Sequence, residues 1–339
     1  SKGFDPTILA NAKPHETSSC YVILRHFKDR IARLRLDGKI ICYLILGSVP
    51  SDITDYDQYH VMAQILNSKV DVDRLDYVLR DNFMTGVKIG QIDIDRLIFS
   101  YDLMESNNHS KCSDVCLLYN YRALSVISSY VNIRDSLYVW VYKHHKVVYT
   151  DMLLKRMIEK LIRNKIINVD NYFHPDTFIN CCYDDVSLLN LIRRNKDELG
   201  DLYLQWKNRR YLKSCWKNVF EYEEKIPDEM VRKSLMDLSR KDTLPRTSHI
   251  VRSYEQSICN FLNLDDDLFH ITYAGFKPLG PREVEEILIK VKPDVPKDLK
   301  ELSIYNPLAE KVRNMVFMYV EDGYQDKCIE YIKNNPPVT

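Results

Sequence analysis

The chain has 339 residues, 45% of them hydrophobic and 28% charged, so it can bury a core as one large globular domain or two joined domains. Lys plus Arg and Asp plus Glu both count 48, and this balance disfavours a whole-protein field that attracts nucleic acid or anionic membranes. With only 9 Gly, the sequence contains neither a G-x-G-x-x-G fingerprint nor a Walker phosphate loop. Any phosphate recognition is therefore expected to depend on side chains.

The apolar runs and the cysteines predict a soluble, cytoplasmic protein. The longest apolar run, 40–46, is far shorter than the roughly 20 residues that a membrane span needs, so we expect no membrane association. The 9 Cys form no C-x-x-C pair, and we find no signal-peptide pattern. Buried, reduced thiols are therefore expected.

Helical spacing dominates the first two thirds of the chain, which are poor in Pro and Gly. Apolar residues recur at three- and four-residue spacing from Tyr21 to Leu34, which predicts helix. The same pattern predicts further helices at 57–68, 71–85, 93–105, 113–131, 134–163, 184–195, 197–222 and 227–238. No period of 20–50 residues repeats, which disfavours a solenoid.

The composition changes after about residue 240. Most of the prolines lie in the last third, and short strand-like segments occur at 268–273, 287–291 and 316–320. We therefore predict a mainly α protein with a helical body over 1–240 and a small α+β C-terminal lobe over 241–339.

One stretch concentrates chemically active side chains. The run DVDRLDYVLRD, residues 71–81, carries four carboxylates, two guanidinium groups and one phenol. On a helix, Asp73, Tyr77 and either Arg80 or Asp81 share one face, and Arg74 flanks it. Spacing alone favours a solvated helix surface with ion pairs, and the interleaved apolar residues show that the opposite side is packed.

This run, continued by NFMTGVKIGQIDIDRLI, closely resembles the segment that closes the active site in HD-superfamily phosphohydrolases, specifically the deoxynucleoside triphosphate triphosphohydrolases. The resemblance implies an HD-domain-like helical body. It also implies that Asp73 is the fourth ligand of the catalytic metal, and that Arg74, Tyr77 and Asp81 line a nucleotide site.

The N-terminal residues are similar to the S-H-x-F-[DE] and H-E elements of the same family. The resemblance implies catalytic roles beside the metal for Asp5, His15 and Glu16, while Lys2 stands where the family has His. A carboxylate next to an imidazole orients it and raises its pKa, which keeps a proton available for a leaving oxygen. Without the resemblance, His15 and Glu16 are more typical of a helix start.

A third stretch, 134–146, resembles the family's R-x-S-L helix and the V-Y-x-H segment that follows it. The resemblance implies a nucleotide-binding role for Arg134, Tyr138, Tyr142 and His145. Guanidinium groups suit phosphate oxygens, and phenols suit a sugar or base. We expect Trp140, in the same aromatic stripe, to belong to the core.

The His-Asp dipeptide that names the family does not occur in this sequence. In the family this dipeptide and an upstream His supply three of the four metal ligands. We therefore expect a divalent metal, Mn, Mg or Fe, only if those ligands lie upstream of Ser1, because Asp73 alone cannot hold such an ion.

Three functions remain open at this point. The resemblance implies an enzyme that splits a deoxynucleoside triphosphate into nucleoside and triphosphate and assembles as a homodimer or homotetramer. The alternative is a catalytically inactive relative that serves as a nucleotide-binding or protein-interaction module. The basic run 207–211, with Trp206 and Trp216 nearby, leaves nucleic-acid binding as the third.

Overall fold

The structure is a computed structural model. It describes residues 12–105, 115–172, 174–181, 183–242, 248–275, 287–292, 295–298 and 315–337.

The chain forms two compact units. The first comprises Ser1–Leu137 and Leu279–Asn306, and the second comprises Tyr138–Pro278 and Pro307–Thr339. The predicted division into domains at 1–240 and 241–339 stays a prediction. Each compact unit combines two separate stretches of the chain, whereas each predicted domain is one continuous stretch.

Most of the described residues are helical. In chain order the helices are α1 (Pro14–His26), α2 (Lys28–Arg33), α3 (Gly38–Leu46), α4 (Tyr56–Asn67), α5 (Val72–Met84), α6 (Ile94–Ile98), α7 (Leu124–Leu137), α8 (His145–Arg163), α9 (Val169–Tyr172), α10 (Pro175–Cys181), α11 (Asp185–Arg194), α12 (Lys196–Leu199), α13 (Asp201–Asn208), α14 (Val219–Lys225), α15 (Glu229–Lys241), α16 (Ser248–Leu262) and α17 (Gln325–Asn334). A π-helical turn, Tyr138–Tyr142, follows α7, and 3-10 turns occupy Tyr121–Ala123 and Asp266–Leu268.

The strands form two small sheets, one in each unit. They are β1 (Tyr101–Glu105), β2 (Val115–Asn120), β3 (Lys213–Ser214), β4 (Phe269–Tyr273), β5 (Leu288–Lys292), β6 (Val295–Asp298) and β7 (Val316–Val320). In the first unit the order is β1-β2-β5-β6, with β2 antiparallel to β1 and parallel to β5. In the second unit the order is β3-β7-β4, and both pairs are antiparallel. The predicted fold class, mainly α with a small α+β part, is confirmed.

Two of the predicted helices are wrong over part of their length. The 93–105 segment leaves helix after Ile98 and enters β1, and the 113–131 segment begins as β2. Strand pairing overrides the local periodicity here, because Tyr101 pairs opposite Tyr119, and Tyr119 pairs opposite Ile289 from a distant part of the chain.

The predicted helices 134–163 and 197–222 are each interrupted. In the first, α7 passes into the π-helical turn, and α8 starts afresh after His144, whose ring accepts a hydrogen bond from the backbone N–H of Lys146 at 3.4 Å. In the second, Gly200 and Arg209 take left-handed φ values of 58° and 52° that no helix interior accommodates. The three predicted strands are confirmed as β4, β5 and β7.

The core of the second unit surrounds α8 and β7. Met152, Leu153, Met157 and Leu161 on α8 fall at helical spacing and are at most 3% exposed. All five residues of β7 are buried, because β7 is the central strand of its sheet. This position accounts for its uninterrupted apolar sequence. Trp140, by contrast, is 58% exposed, so the prediction that it belongs to the core is wrong. It lies in the π-helical turn, whose residues are not buried.

Among the described cysteines, five are free and buried as predicted, namely Cys20, Cys42, Cys215, Cys259 and Cys328. Cys116 is disulfide-bonded, so the prediction of reduced thiols is wrong there. Composition does not reveal which thiols a fold brings within bonding distance. The described helices include none with the length and apolarity that a bilayer crossing requires.

Trp216 ties the start of β7 to the core of the second unit. It is 1% exposed, and its indole Nε1 donates to the backbone oxygen of Val316 at 2.7 Å. We expect Trp216→Phe to lower the free energy of unfolding by about 2 kcal/mol, because it removes a buried donor and leaves a void. Urea denaturation followed by circular dichroism measures this change. Trp140→Phe is the matched control, and we expect it to change the free energy by less than about 0.5 kcal/mol. Equal effects of the two substitutions would contradict the packing.

Candidate functional site

Helix α5 begins at a residue that acts both as a cap and as an ion-pair partner. Asp71 is 5% exposed, and its Oδ1 accepts a hydrogen bond from the Arg74 backbone N–H at 2.7 Å. Its Oδ2 pairs with the Arg74 guanidinium, which also donates to the backbone oxygen of Ser68. A D-x-x-R spacing at a helix start therefore fixes the arginine head group beside the first turn.

The start of α1 lies close enough to the start of α5 for their charges to interact. Burial raises the pKa of Asp71, and the positive charges of Arg74 and Lys13 oppose that shift. Lys13 is the N-cap residue of α1. Two of the segments singled out in the sequence are therefore neighbours in the first unit.

Helix α7 contributes a tyrosine and an arginine one turn apart. Tyr130 is buried, and its hydroxyl donates to the backbone oxygen of Lys69 at 2.9 Å. Burial raises the pKa of Tyr130, the nearby Arg134 and Arg74 lower it, and Tyr77 adds to the rise. Helices α5 and α7 pack against each other, so the charges of Arg74 and Arg134 both influence this phenol.

A buried ion pair fixes the guanidinium of Arg134 in the first unit. It is 7% exposed, and its Nη1 pairs with Oδ1 of Asp135 at 2.5 Å, while Asp135 is fully buried. A buried charge needs such a partner. A ligand therefore reaches this guanidinium only through its small exposed part.

The remaining predicted residues of α5 lie on its more accessible side. Asp73 is exposed in the first turn, where a carboxylate interacts favourably with the positive end of the helix dipole. Tyr77 and Asp81 are half-buried. The structure leaves all three beside Arg74 on one short helix, as the spacing predicts.

Asp5 lies outside the described residues, and His15 and Glu16 lie in the first turn of α1. The side chain of His15 is 75% exposed, and its Nε2 lies 3.9 Å from Oε1 of Glu16. Glu16 forms a capping box with Lys13, accepting from its backbone N–H at 2.9 Å and from its Nζ at 2.8 Å. The helix-start interpretation of His15 and Glu16 is confirmed, and their catalytic roles stay predictions.

Tyr138, Tyr142 and His145 belong to the second unit. The two tyrosine rings meet edge to face with centroids 5.0 Å apart. The backbone oxygen of His145 accepts a hydrogen bond from the Tyr319 hydroxyl at 2.6 Å. Burial, reinforced by His144 and Lys146, lowers the pKa of His145 to about 4. The predicted nucleotide-binding residues thus fall into two groups, one in each compact unit.

The described residues do not form a metal centre. In the parts of the chain that the structure describes, no three His, Cys, Asp or Glu side chains are grouped so that they could hold a metal ion. Asp73 thus has no described companion ligands. The metal that we expect only with ligands upstream of Ser1 stays a prediction.

Sequence reasoning missed three residues that hold this site together: Asp71, Tyr130 and Asp135. The D-x-x-R spacing is a detectable signal for Asp71. Tyr130 lies one helical turn before Arg134, so periodicity places it on the same face. Nothing local marks Asp135 as buried.

The comparisons with known proteins support the fold. No family model matches the chain. An uncharacterized protein of Methanocaldococcus jannaschii is 25% identical over 277 residues, which cover 80% of this chain and 56% of that protein. An uncharacterized protein of Mycoplasma pneumoniae is 22% identical over 146 residues, covering 43% of this chain and 32% of that protein. The chain therefore spans about half of the first relative's length and a third of the second's.

Two solved structures share the architecture. A hypothetical protein from Aquifex aeolicus has a TM-score of 0.61 at 17% identity, with 97% of this chain and 75% of that chain covered. A phosphohydrolase from Bacteroides thetaiotaomicron has a TM-score of 0.56 at 17% identity, with coverages of 89% and 70%. This chain thus shares its fold with these two proteins, and one of them is named a phosphohydrolase, which agrees with the predicted resemblance at the level of fold.

The cap at the start of α5 yields a stability prediction. We expect Asp71→Ala to lower the free energy of unfolding by about 2 kcal/mol, because it removes the cap and leaves the Arg74 guanidinium unpaired. Asp76→Ala on the same helix is the control. Asp76 pairs with Arg80 but its side chain is 64% exposed, so we expect a change below about 0.5 kcal/mol. Chemical denaturation measures both changes in the free energy of unfolding. A larger loss for Asp76→Ala than for Asp71→Ala would contradict the role of Asp71 as cap and ion-pair partner.

The lowered pKa of His145 yields a prediction about pH. The folded-state pKa, about 4, lies below the ordinary value of 6.5, so the contribution to stability is present above pH 6.5 and disappears as the pH falls towards 4. We expect the unmodified chain to lose stability between pH 7 and pH 5, because His145 becomes protonated more readily in the unfolded state. In His145→Asn we expect this loss of unfolding free energy to be smaller by about 1 kcal/mol, allowing for solvent screening. Denaturation curves at both pH values test this, with the exposed His249→Asn as control. An unchanged pH dependence in His145→Asn contradicts the assignment.

Proposed function

We propose that this chain is a phosphohydrolase-like protein that binds a deoxynucleoside triphosphate at the start of α5, beside Arg134 of α7. One observation carries the proposal. Helix α5 packs against α7, the Arg74 guanidinium donates to the backbone oxygen of Ser68, and Tyr130, one turn before Arg134, donates to that of the adjacent Lys69. Two guanidinium groups and a half-buried phenol on two packed helices suit phosphate oxygens next to a sugar or base.

The neighbouring carboxylates have distinct uses in this proposal. Asp71 and Asp135 each hold one arginine, so these acids orient the cations that face the phosphates. Asp73, exposed in the first turn of α5, would accept a hydrogen bond from a sugar hydroxyl. The contacts to the phosphates would come from side chains, as expected for a chain with few glycines.

Hydrolysis is the finer part of the proposal. Water would split the substrate into a deoxynucleoside and triphosphate, with His15 and Asp5 serving the leaving oxygen. Nucleotide binding is the first part of the proposal, and a product assay tests hydrolysis.

A catalytically inactive, nucleotide-binding relative is the alternative function. The observation that favours it lies at the start of α1, where Glu16 is engaged in the helix cap and the His15 side chain is 75% exposed. An imidazole open to bulk water lacks the environment that tunes general acids. The predicted homo-oligomer stays a prediction under either function. The nucleic-acid alternative is weakened, because Trp216 is buried and offers no ring for stacking.

Matched arginine variants of α5 test the binding site. We expect Arg74→Gln to weaken binding of deoxynucleoside triphosphates about tenfold or more, because it removes a charge-assisted hydrogen-bond donor from the phosphates. Arg80→Gln is the control, since Arg80 lies on the same helix, pairs with Asp76 and is 58% exposed. Isothermal titration calorimetry with each of the four nucleotides measures the affinities, and circular dichroism verifies that both variants are folded. Equal affinities of the two folded variants, or no binding by the unmodified chain, would overturn the proposal.

A product assay separates the two functions. The chain is incubated with each deoxynucleoside triphosphate, with and without Mn²⁺, and nucleoside and triphosphate are separated by chromatography. Release of both products supports the enzyme. Binding without release supports the inactive relative.

A further inference from the structure

The second unit contains a cavity of about 350 Å³ between α8, α16 and the 3-10 turn before β4. Its volume falls in the range of small-molecule sites. Four basic residues line it, Arg156, Lys160 and Arg163 from α8 and Arg252 from α16, together with His270 from β4. The three α8 residues recur at helical spacing and so point along one face. None of these residues was singled out in the sequence.

Arg156 faces the cavity with part of its guanidinium unused. The residue is 6% exposed, and its Nη2 donates to both carboxylate oxygens of Glu255, at 2.8 and 3.0 Å. Its Nε and Nη1 make no hydrogen bond with any described residue. The Oδ1 atom of Asp242 lies 3.9 Å from Nη1, which is too far for a hydrogen bond. Buried cationic donors without acceptors are costly unless a ligand satisfies them.

His270 is a second buried polar group that lines the cavity. It is 2% exposed, and both of its ring nitrogens are shielded from solvent. Burial lowers the pKa of His270, as does the nearby Arg156, whereas a hydrogen bond with the Asp267 backbone opposes the shift. A neutral imidazole offers one donor and one acceptor. Such a pair suits a hydroxyl group.

The acidic residues of the cavity wall are largely engaged with the protein itself. Glu255 also accepts from Nη1 of Arg252 at 3.0 Å and from the backbone N–H of Ile271 at 2.8 Å. Glu159 pairs with Nη2 of Arg252 at 3.0 Å. Lys160 and Arg163, in contrast, form no ion pair among the described residues. The side chains of α8 that line the cavity without an ion-pair partner are therefore cations. Asp266 and Asp267 line another part of the cavity and supply hydrogen-bond acceptors there.

We propose that this cavity binds a phosphorylated sugar. The phosphate lies against Arg156, Lys160 and Arg163, and the sugar hydroxyls lie against His270 and Asp267. All of these residues belong to the second unit, so the proposal does not rest on the nucleotide site of α5. The chemistry is that of a phosphomonoester joined to a polyol, and both parts are required.

Calorimetric titration of the whole chain tests the proposal with three probes: ribose 5-phosphate, ribose and inorganic phosphate. We expect ribose 5-phosphate to bind at least tenfold more tightly than either of the other two, because only it engages both ends of the cavity. Equal binding of phosphate and ribose 5-phosphate, or no binding of ribose 5-phosphate, would overturn the proposal.

Variants locate the bound ligand. Lys160→Gln is expected to weaken ribose 5-phosphate binding about tenfold, since it removes a half-buried ammonium from the phosphate end. Lys233→Gln, an exposed lysine on α15, is the matched control and should bind as the unmodified chain does. Arg156→Lys keeps the buried positive charge beside Glu255 but removes the forked donors, and we expect it to weaken binding as well. Equal affinities of the Lys160 and Lys233 variants would place the ligand elsewhere and overturn the proposal.

Discussion

The second unit depends on one buried ion pair, between Arg156 on α8 and Glu255 on α16. Both residues are at most 6% exposed, and Glu255 also accepts the backbone N–H of Ile271 on β4, so the pair joins two helices and a strand. Burial raises the pKa of Glu255, and the Arg156 charge opposes that shift. Removing one partner of such a pair strands the other charge, at about 3–5 kcal/mol. The same pair leaves two guanidinium nitrogens of Arg156, a residue that lines the cavity, without a hydrogen-bond partner among the described residues.

The start of α5 and the nearby end of α7 also contain buried acids that pair with arginines. The buried carboxylate of Asp71 caps the helix and holds the Arg74 guanidinium, and Asp135 holds Arg134 on α7. In each case an acid fixes a base before any ligand arrives. Ordering the cation in advance lowers the entropy that binding must overcome. A site built in this way is rigid, and its specificity depends on the direction of the remaining N–H groups.

The sequence predicted those parts of the fold that local patterns determine. The bounds of α5, predicted as 71–85, differ by one residue at each end, because Asp71 caps the helix and the apolar residues of the packed side recur at helical spacing. The strands β4 and β7 were found for a similar reason, since buried strands have continuous apolar runs. No local sequence pattern predicts the pairing of β2 with β5. The same holds for the contact between Arg156 and Glu255, which are 99 residues apart. The nucleotide-binding roles of Arg74, Tyr77 and Arg134 come from the family resemblance and stay predictions, whereas the buried Tyr130 was not predicted.

Balanced charge does not argue against anion binding by this chain. Acids and bases each count 48, yet their pairing is uneven in space. A few cations of α8 and α16 pair with the carboxylates of Asp242, Glu255 and Glu159. Arg156 therefore pairs with Glu255 through Nη2 alone, and its other guanidinium nitrogens are not hydrogen-bonded to any described residue. Net charge sets the long-range field, which is weak here, whereas affinity at close range follows from the donors left over in a low-dielectric cavity. Recognition by this protein is therefore expected to be short-range and geometric, with little long-range steering and only a modest dependence of the association rate on salt.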